Sequence, residues 1–413
     1  MKRFISIFVL TALVLTLLSG CNGADKNKDN NGGDAEIQIP ETVSLKIAGS
    51  DISEYKIVYA RSEYYKQGEK MFTTEWDFYK LIAKDVSDRI SALTGVSLAV
   101  TQDTKTAEGD KEILVGPTNR ALSDAYDKMD VYKYQNAVTE GKLMIGGGYN
   151  ASYLTDNLKT SYSWGATYHA FDYIEEYIKD QMNQGVGEID LAEGFEQNGS
   201  VDLKTVACIG DSITEGHGST DWNYCSYPAV LQRVLWKDHV IINYGKSAKT
   251  MRTDLSGSYM STDAYRAAQK QRQHFDALVI MLGINDGGVD NVEFTAAEDK
   301  IFNDSATKLV SSLTPSGKKD MKVAILNCTA YYGSNPGTRE HVRDLQKALV
   351  PLLTEKGYET TFVDMQKYTE KEMGKSHFPD GIHPDTTGYA MLGEYISGVV
   401  VNMFKQTDAE AEE

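Results

Sequence analysis

The sequence predicts an α/β protein, with a parallel sheet in its C-terminal half and a smaller α+β domain before it. Three observations lead to this prediction. After residue 200, apolar runs of strand length alternate with helical patterns, which is typical of a parallel sheet covered on both faces. Before residue 200, short strands and helices mix without sustained β-α-β alternation. Between the two patterns, residues 193–200 are polar and contain glycine, as expected at a domain boundary.

The C-terminal domain is predicted to span residues 200–407. Its strands are expected at Thr205–Ile209, Val240–Asn243, Ala277–Leu282, Lys322–Leu326 and Thr361–Val363. Its helices are expected at Tyr227–Trp236, Ala296–Leu313, Arg339–Leu353 and Thr387–Met403. The functional residues of such sheets lie at the carboxyl ends of the strands. A motif that directly follows one of these strands is therefore a candidate for the active site.

The accessory α+β domain is predicted to span residues 41–199. Its expected elements are strands at Val43–Ile47, Tyr55–Tyr59, Val96–Val100 and Glu112–Val115, a hairpin at Ala137–Gly147, and helices at Trp76–Leu93 and Thr167–Met182. This half contains no cluster of catalytic residue types. The stretches Glu112–Arg120 and Gly141–Gly148 resemble the small domain that precedes the barrel in some secreted glycosidases, such as α-glucuronidases and hexosaminidases. A generic spacer domain is the alternative.

The first 21 residues have the pattern of a targeting segment. Lys2 and Arg3 precede an apolar stretch, Phe4–Leu18, that is too short for a transmembrane helix. Residues 18–21 read Leu-Ser-Gly-Cys and resemble a bacterial lipobox, in which Cys21 becomes lipidated; an ordinary secretory signal is the alternative. Residues 22–40 are predicted to be a flexible linker and residues 408–413 an acidic tail. We therefore expect an extracytoplasmic protein, held at the cell membrane by its N-terminal lipid only.

Charge and residue counts exclude several classes of function. The 42 Lys and Arg against 59 Asp and Glu give a net charge of −17, which argues against a nucleic-acid partner. The seven His residues show no ligand spacing, so no metal site is predicted. Three cysteines, Cys208, Cys225 and Cys328, are expected to be buried thiols. The 25 Tyr residues suit sugar contacts as well as ordinary packing.

Three motifs lie at or beyond the end of a predicted strand. The first strand runs directly into Gly210-Asp211-Ser212-Ile213-Thr214, and the third into Gly283-Ile284-Asn285-Asp286. The fifth is followed by a longer loop and then Asp380-Gly381-Ile382-His383-Pro384. A serine hydroxyl becomes a nucleophile when a base removes its proton, and histidine is the usual base near neutral pH. Ser212, His383 and Asp380 are therefore predicted to form a catalytic triad, with Asp380 orienting the imidazole.

Attack on an ester carbonyl creates an oxyanion, which needs hydrogen-bond donors that are already in place. The candidates are the Ser212 N–H, the Asn285 side-chain amide, and the N–H of Gly245 after the second strand. Asp211 and Asp286 are expected to stabilise turns. His217 is expected to lie in a surface loop, although it could line the pocket, and His377 is the less favoured base.

These four blocks resemble the SGNH (GDSL-like) hydrolases over about residues 200–405, roughly half of the chain. Ser212 matches the nucleophile of the first block, Gly245 the oxyanion glycine of the second and Asn285 the third, while Asp380 and His383 match the fourth. The resemblance implies a flavodoxin-like three-layer α/β/α fold and ester hydrolysis without a cofactor. One departure is Ala248, which stands where many members carry another glycine. The α/β-hydrolase alternative fails because Thr214 replaces the second glycine of that family's nucleophile turn.

The predicted function is that of a serine esterase, an SGNH-type carboxylic ester hydrolase that removes acyl groups from a small molecule or a polysaccharide. O-acetyl groups on carbohydrate are favoured by the extracellular address, the glycosidase-like domain and the tyrosine content. A lipid esterase or lysophospholipase is one alternative. A glycan-binding lipoprotein with an idle catalytic domain and an acyltransferase are two others.

Overall fold

A computed structural model of the chain describes residues 38–61, 77–150, 162–287, 294–318, 320–333 and 338–410. The predicted signal segment with Cys21 lies outside the described residues, as do most of the predicted linker and the end of the acidic tail. From residue 39 onward the chain forms one compact unit. Within the described ranges, none of the helices combines the length and apolar character that crossing a bilayer requires.

The first part of this unit contains two sheets and two long helices. Its strands are β1 (Ser44–Ile47), β2 (Ser50–Asp51), β3 (Lys56–Tyr59), β4 (Ala99–Gln102), β5 (Glu112–Val115), β6 (Lys133–Thr139), β7 (Lys142–Gly147), β8 (Glu188–Leu191) and β9 (Glu196–Ser200). Its helices are α1 (Phe78–Thr94) and α2 (Gly165–Asn183). The larger sheet has the order β4-β3-β5-β7-β6-β9, and the smaller one β2-β1-β8.

Most of the larger sheet is parallel. Strands β4, β3, β5 and β7 pair in parallel, and α1 connects β3 to its parallel neighbour β4, so the domain contains one β-α-β unit that the sequence analysis did not identify. The predicted hairpin is confirmed, since β6 and β7 are antiparallel and joined by Glu140 and Gly141. Both of these residues have positive φ, 53° and 72°, as expected for a two-residue hairpin turn. Strand β9 adds an antiparallel edge next to β6.

The second part contains the predicted parallel sheet. Its strands are β10 (Lys204–Gly210), β11 (His239–Gly245), β12 (Ala277–Met281), β13 (Lys322–Leu326) and β14 (Glu359–Val363). Its helices are α3 (Ser212–Glu215), α4 (Trp222–Cys225), α5 (Tyr227–Val234), α6 (Asp263–Gln271), α7 (Ala296–Leu313), α8 (Arg339–Glu355), α9 (Met365–Tyr368) and α10 (Thr386–Glu410). All neighbouring strands are parallel, in the order β11-β10-β12-β13-β14. This is the 2-1-3-4-5 order of flavodoxin-like folds, so the predicted fold class is confirmed.

The predicted strands and helices of this part are all present, with ends that shift by a few residues. Four helices of the described ranges were not predicted. Three of them, α3, α4 and α9, have only four residues each, and the fourth, α6, has a buried face that consists mainly of small alanines, Ala264, Ala267 and Ala268. The three cysteines Cys208, Cys225 and Cys328 are buried, as predicted.

The two parts share one hydrophobic core, which includes Ile57 and Phe171 from the first part and Ile242 and Leu278 from the second. Polar contacts also join them. The hydroxyls of Tyr132 and Thr205 lie 2.7 Å apart. The predicted domain boundary near residue 200 falls between β9 and β10, the last strand of one sheet and the first of the other, and it stays a prediction.

Candidate active site

The first motif forms a tight turn at the carboxyl end of β10. A Cβ at Gly210 would lie 2.7 Å from the carbonyl oxygen of Met281 on the neighbouring strand, so this position requires glycine. The side chain of Asp211 accepts a hydrogen bond from the Ile213 N–H at 3.0 Å and caps α3. Ser212 is the first residue of α3, where the backbone N–H has no partner within the helix. The turn therefore presents both the hydroxyl and the N–H of Ser212 at the sheet edge.

The hydroxyl of Ser212 lies beside His383. Ser212 Oγ is 2.8 Å from His383 Nε2, and His383 Nδ1 is 2.6 Å from Asp380 Oδ2. The other Asp380 oxygen accepts hydrogen bonds from the N–H groups of Ile382 and His383, at 2.9 and 2.7 Å. The structure thus brings together three side chains that are up to 171 residues apart in sequence.

The environment of Asp380 favours its charged form. Partial burial alone would raise the pKa of this carboxyl, but its hydrogen bonds with the His383 side chain and with two backbone N–H groups outweigh burial and lower the pKa to about 2. Asp380 is therefore a carboxylate throughout the neutral range. A carboxylate at His383 Nδ1 fixes the ring so that Nε2 can accept a proton from Ser212.

The other two histidines of this region are placed differently. His377 Nδ1 is 3.1 Å from Asp385 Oδ1 and makes no hydrogen bond with Ser212. His217 is exposed, as a surface loop predicts, but its ring centroid is also 4.5 Å from that of His383. The Trp222 ring lies 5.9 Å from that of His217, so these two rings extend the site on one side. The short distance between the two histidine rings exists only in the folded chain.

Asn285 follows β12 and reaches the same edge. Its Nδ2 donates one hydrogen bond to the Lys249 carbonyl at 2.9 Å, which leaves a second amide hydrogen for a ligand. The Ser212 N–H donates to no described residue. These two donors are available for the predicted oxyanion hole, which stays a prediction.

Gly245 does not serve as the free donor that the sequence analysis predicted. Its N–H donates to Asn243 Oδ1 at 2.9 Å and is already satisfied. A Cβ at this position would lie only 2.2 Å from the backbone nitrogen of Glu215 and 2.6 Å from the carbonyl carbon of Thr214. Glycine is required here because β11 passes close to α3, and not because its N–H is available.

The loop after β11 contains a third candidate donor, Ala248. This residue has a φ of 59°, in the left-handed region that favours glycine, and its N–H donates to no described residue. Its neighbours are held on both sides, because Ser247 donates its N–H (2.7 Å) and its hydroxyl to Glu215 Oε2, while the Lys249 carbonyl accepts from Asn285. The left-handed conformation explains why glycine is usual at the position of Ala248.

Glu215 is a further residue of the site, and none of the sequence motifs indicates it. Glu215 ends the short helix that Ser212 begins, and it is buried. Glu215 follows Ser212 by three residues, so both lie on one helical turn, and this spacing in the sequence is a signal that Glu215 lies close to the nucleophile. Glu215 links this turn to the loop of residues 247–249, and the loop in turn contacts Asn285.

Two further carboxyls are buried behind the site. Burial raises the pKa of Asp211 to about 7, although the Ile213 N–H partly offsets this effect. Burial likewise raises the pKa of Asp286 to about 6. Hydrogen bonds from the N–H groups of Arg252 (2.9 Å) and Met251 (2.8 Å) lower this pKa but do not outweigh burial. Both side chains hold turns, as predicted. In the part of the chain that the structure describes, no group of three His, Cys, Asp or Glu side chains is arranged to hold a metal ion.

The sequence is similar to known proteins over about half of its length. The sequence profile of the GDSL-like Lipase/Acylhydrolase family matches residues 208–391. An acetylxylan esterase of Xylanibacter ruminicola is 29% identical, over 48% of this chain and 43% of that protein. The chain thus spans less than half the length of this relative.

Two solved structures are each similar to about half of the chain. An aryl esterase of M. smegmatis is 19% identical, with 49% of this chain and 100% of that chain covered, at a TM-score of 0.37. Est24, a carbohydrate acetylesterase from Sinorhizobium meliloti, is 19% identical, with 48% and 99% covered, at a TM-score of 0.34. The profile match begins in the strand that precedes Ser212 and ends beyond His383, so it includes Ser212, Asn285, Asp380 and His383.

Proposed function

We propose that this protein is a serine esterase that removes small acyl groups, chiefly acetyl, from carbohydrate. The observation that carries the proposal is the hydrogen-bonded series from Ser212 Oγ to His383 Nε2 (2.8 Å) and from His383 Nδ1 to Asp380 Oδ2 (2.6 Å). A serine, a histidine and a carboxylate in this order are the nucleophile, base and orienting group of acyl transfer. The acetylxylan esterase among its relatives supports carbohydrate as the substrate class.

In the first half of the reaction, Ser212 Oγ attacks the acyl carbonyl carbon while its proton passes to His383 Nε2. The carbonyl oxygen becomes an oxyanion, which accepts hydrogen bonds from the Ser212 N–H and Asn285 Nδ2. The Ala248 N–H is the third donor in this proposal, in place of Gly245. The C–O bond to the sugar then breaks, and the sugar oxygen takes the proton from His383. An acyl-Ser212 intermediate remains.

In the second half, water attacks the acyl carbon and gives one proton to His383 Nε2. The bond to Ser212 Oγ breaks, Oγ recovers the proton, and the carboxylic acid leaves. Asp380 remains ionised in both halves, because its pKa is about 2, and its charge stabilises the imidazolium each time it forms. These steps use only groups of this chain and water.

The first experiment compares the chain from residue 22 onward with its Ser212→Ala variant on p-nitrophenyl acetate, butyrate and octanoate at neutral pH. We expect turnover to decrease from acetate to octanoate and to vanish in the variant. Preference for octanoate would favour a lipid esterase or lysophospholipase. If both proteins are inert on all three esters, the esterase proposal is wrong.

A second experiment tests the substrate class. Acetate release from acetylated xylan and from acetylated xylo-oligosaccharides is followed by NMR, with the Ser212→Ala variant as the control. Release from the sugar esters supports the proposal, while transfer of acetyl to an added sugar in excess of hydrolysis would indicate an acyltransferase.

Membrane attachment through a lipid on Cys21 is a further part of the proposal, and it is supported by the lipobox pattern of residues 18–21. Metabolic labelling with an alkyne fatty acid in a bacterial host should label the wild-type chain and not the Cys21→Ala variant. Secretion of an unlabelled wild-type chain would instead indicate an ordinary signal peptide.

A further inference from the structure

A groove lies in the first part of the molecule, between helix α2 and strand β9 at the edge of the six-stranded sheet. Three tyrosine rings line it, those of Tyr134, Tyr173 and Tyr177. Three carboxylates line it as well, those of Glu176, Asp180 and Glu196. None of these residues belongs to the triad or to the predicted oxyanion hole.

The rings of the groove are held in place without a ligand. Tyr173 stacks on Tyr134 with ring centroids 4.0 Å apart and an interplanar angle of 9°, and its hydroxyl donates to the Ser200 carbonyl at 3.3 Å. Tyr177 packs against Phe195 at 5.6 Å. Tyr173 and Tyr177 are both half-buried and four residues apart on α2, so they lie on one helix face about one turn, or ~5.4 Å, apart.

The polar groups of the groove supply both acceptors and donors. Glu196 Oε1 accepts from Gln135 Nε2 at 3.1 Å and from Asn198 Nδ2 at 3.0 Å, which orients its carboxylate. Gln197 Oε1 is buried beside the groove and accepts a hydrogen bond from no described residue. Among the described residues, no Lys or Arg lines the groove.

We propose that this groove binds a neutral oligosaccharide of pyranose units. A pyranose ring has an apolar C–H face that stacks on an aromatic ring, and its rim of hydroxyls pairs with carboxylates and amides. The spacing of Tyr173 and Tyr177 matches about one sugar unit, so two successive units would each meet one ring. Three carboxylates, with no Lys or Arg among the described residues that line the groove, disfavour anionic polymers such as polyuronates. The binding site rests on this geometry alone, while its use in holding an acylated polysaccharide rests on the proposed function.

Binding is tested on the chain from residue 22 onward carrying Ser212→Ala, so that hydrolysis does not interfere. Xylohexaose and cellohexaose are titrated by calorimetry, with oligogalacturonate as the anionic comparison. We expect at least one neutral hexaose to bind and oligogalacturonate to bind at least tenfold more weakly. Tyr173→Ala and Tyr177→Ala should each weaken hexaose binding at least tenfold, whereas Tyr173→Phe, which keeps the ring face, should bind within threefold.

The matched control is Tyr395→Ala. Tyr395 is exposed and stacks on Tyr368 at 3.9 Å and 11°, so it reproduces the stacked pair at a place outside the groove. This variant should bind the hexaose like the parent. Melting temperatures show whether each variant folds. If Tyr173→Ala does not fold, the Tyr177→Ala variant still tests the proposal.

The proposal is wrong if neither hexaose binds at millimolar concentration, or if Tyr177→Ala binds as well as the parent. It is also wrong if the groove binds an oligolysine peptide instead, with a strong salt dependence that Glu196→Gln removes. Hydrolysis of p-nitrophenyl acetate by Tyr177→Ala, without the Ser212 change, should equal that of the wild type. If the wild type has no esterase activity, the proposed function is wrong, but the result of the binding experiment is unaffected.

Discussion

The carboxylate of Glu215 accepts two hydrogen bonds from Ser247, one from its backbone N–H at 2.7 Å and one from its hydroxyl. Glu215 lies on the helical turn that begins at Ser212, and Ser247 precedes the residues that contact Asn285. The pair therefore links the turn that carries the serine N–H to the loop that contacts the asparagine amide, and these are two of the three donors proposed for the oxyanion. Glu215 acts in this proposal as a positioning residue.

Replacing Glu215 by Gln should lower kcat on p-nitrophenyl acetate about 10- to 100-fold and change KM less than threefold. The reason is that one well-placed oxyanion donor contributes about 2.7–4 kcal/mol to the transition state, and a shifted loop would lose part of this contribution. Ser247→Ala, which keeps the backbone hydrogen bond, should show a smaller loss in the same direction. A distant surface variant with the same fall in melting temperature is the control. If it loses as much activity as Glu215→Gln, the effect of Glu215 on kcat is only structural.

Asp380→Asn should lower kcat/KM about 10²- to 10³-fold. Asn retains an oxygen for the N–H groups of Ile382 and His383, so the turn is kept, but the charge that stabilises the His383 imidazolium is lost. The side chain of Asp380 is 51% exposed, so we expect a smaller effect than for a fully buried triad carboxylate. Kinetics from pH 5 to 9 and a melting curve separate chemistry from folding, and activity within threefold of the wild type would exclude a role for the charge.

Ala248→Gly should raise the free energy of unfolding by about 0.5–1 kcal/mol. A left-handed alanine costs about 1–2 kcal/mol, which exceeds the extra unfolded-state entropy that glycine introduces. Ala248→Val should be destabilising, since a β-branched side chain tolerates this conformation poorly. Urea unfolding of the three proteins tests the order Gly, Ala, Val, and a less stable glycine variant would contradict the argument.

His169 should make stability depend on pH. This residue of α2 lies 2.7 Å from Asp172 and 3.0 Å from Asp238 of the second part. Burial lowers the pKa of His169, but hydrogen bonds with both carboxylates outweigh burial and raise it to about 9 from the usual 6.5. Because the folded-state pKa is the higher one, the stabilisation is complete below pH 6.5 and is lost as the pH rises through 9.

Urea unfolding at pH 6.5 and 9.5 measures this effect. The wild type should lose about 1–2 kcal/mol more than His169→Gln over this interval, a value discounted for the exposure of both carboxylates. Asp238→Asn, which removes one of the two partners, should reduce the difference. An identical pH dependence in the wild type and His169→Gln would show that the ion pairs do not contribute.

Much of the fold was predictable because the signals are local. The helix Ala296–Leu313 and the strand Lys322–Leu326 were predicted with the bounds that the structure has, since each follows directly from apolar periodicity. The four motifs were also predictable, since three lie directly at the ends of apolar strands. The parallel pairing of β3 with β4 was not, because it depends on a partner about 40 residues away.

The motifs specify which residue types are available for chemistry: a serine on a glycine turn, an asparagine at the next strand end, and an aspartate three residues before a histidine. How these residues are used depends on the three-dimensional arrangement of the chain. In the folded chain, Ser212 is hydrogen-bonded to His383, His377 is hydrogen-bonded to Asp385, and the Gly245 N–H donates to the Asn243 side chain. The physical reason is that a hydrogen bond depends on distance and direction in space, whereas a motif specifies only order along the chain.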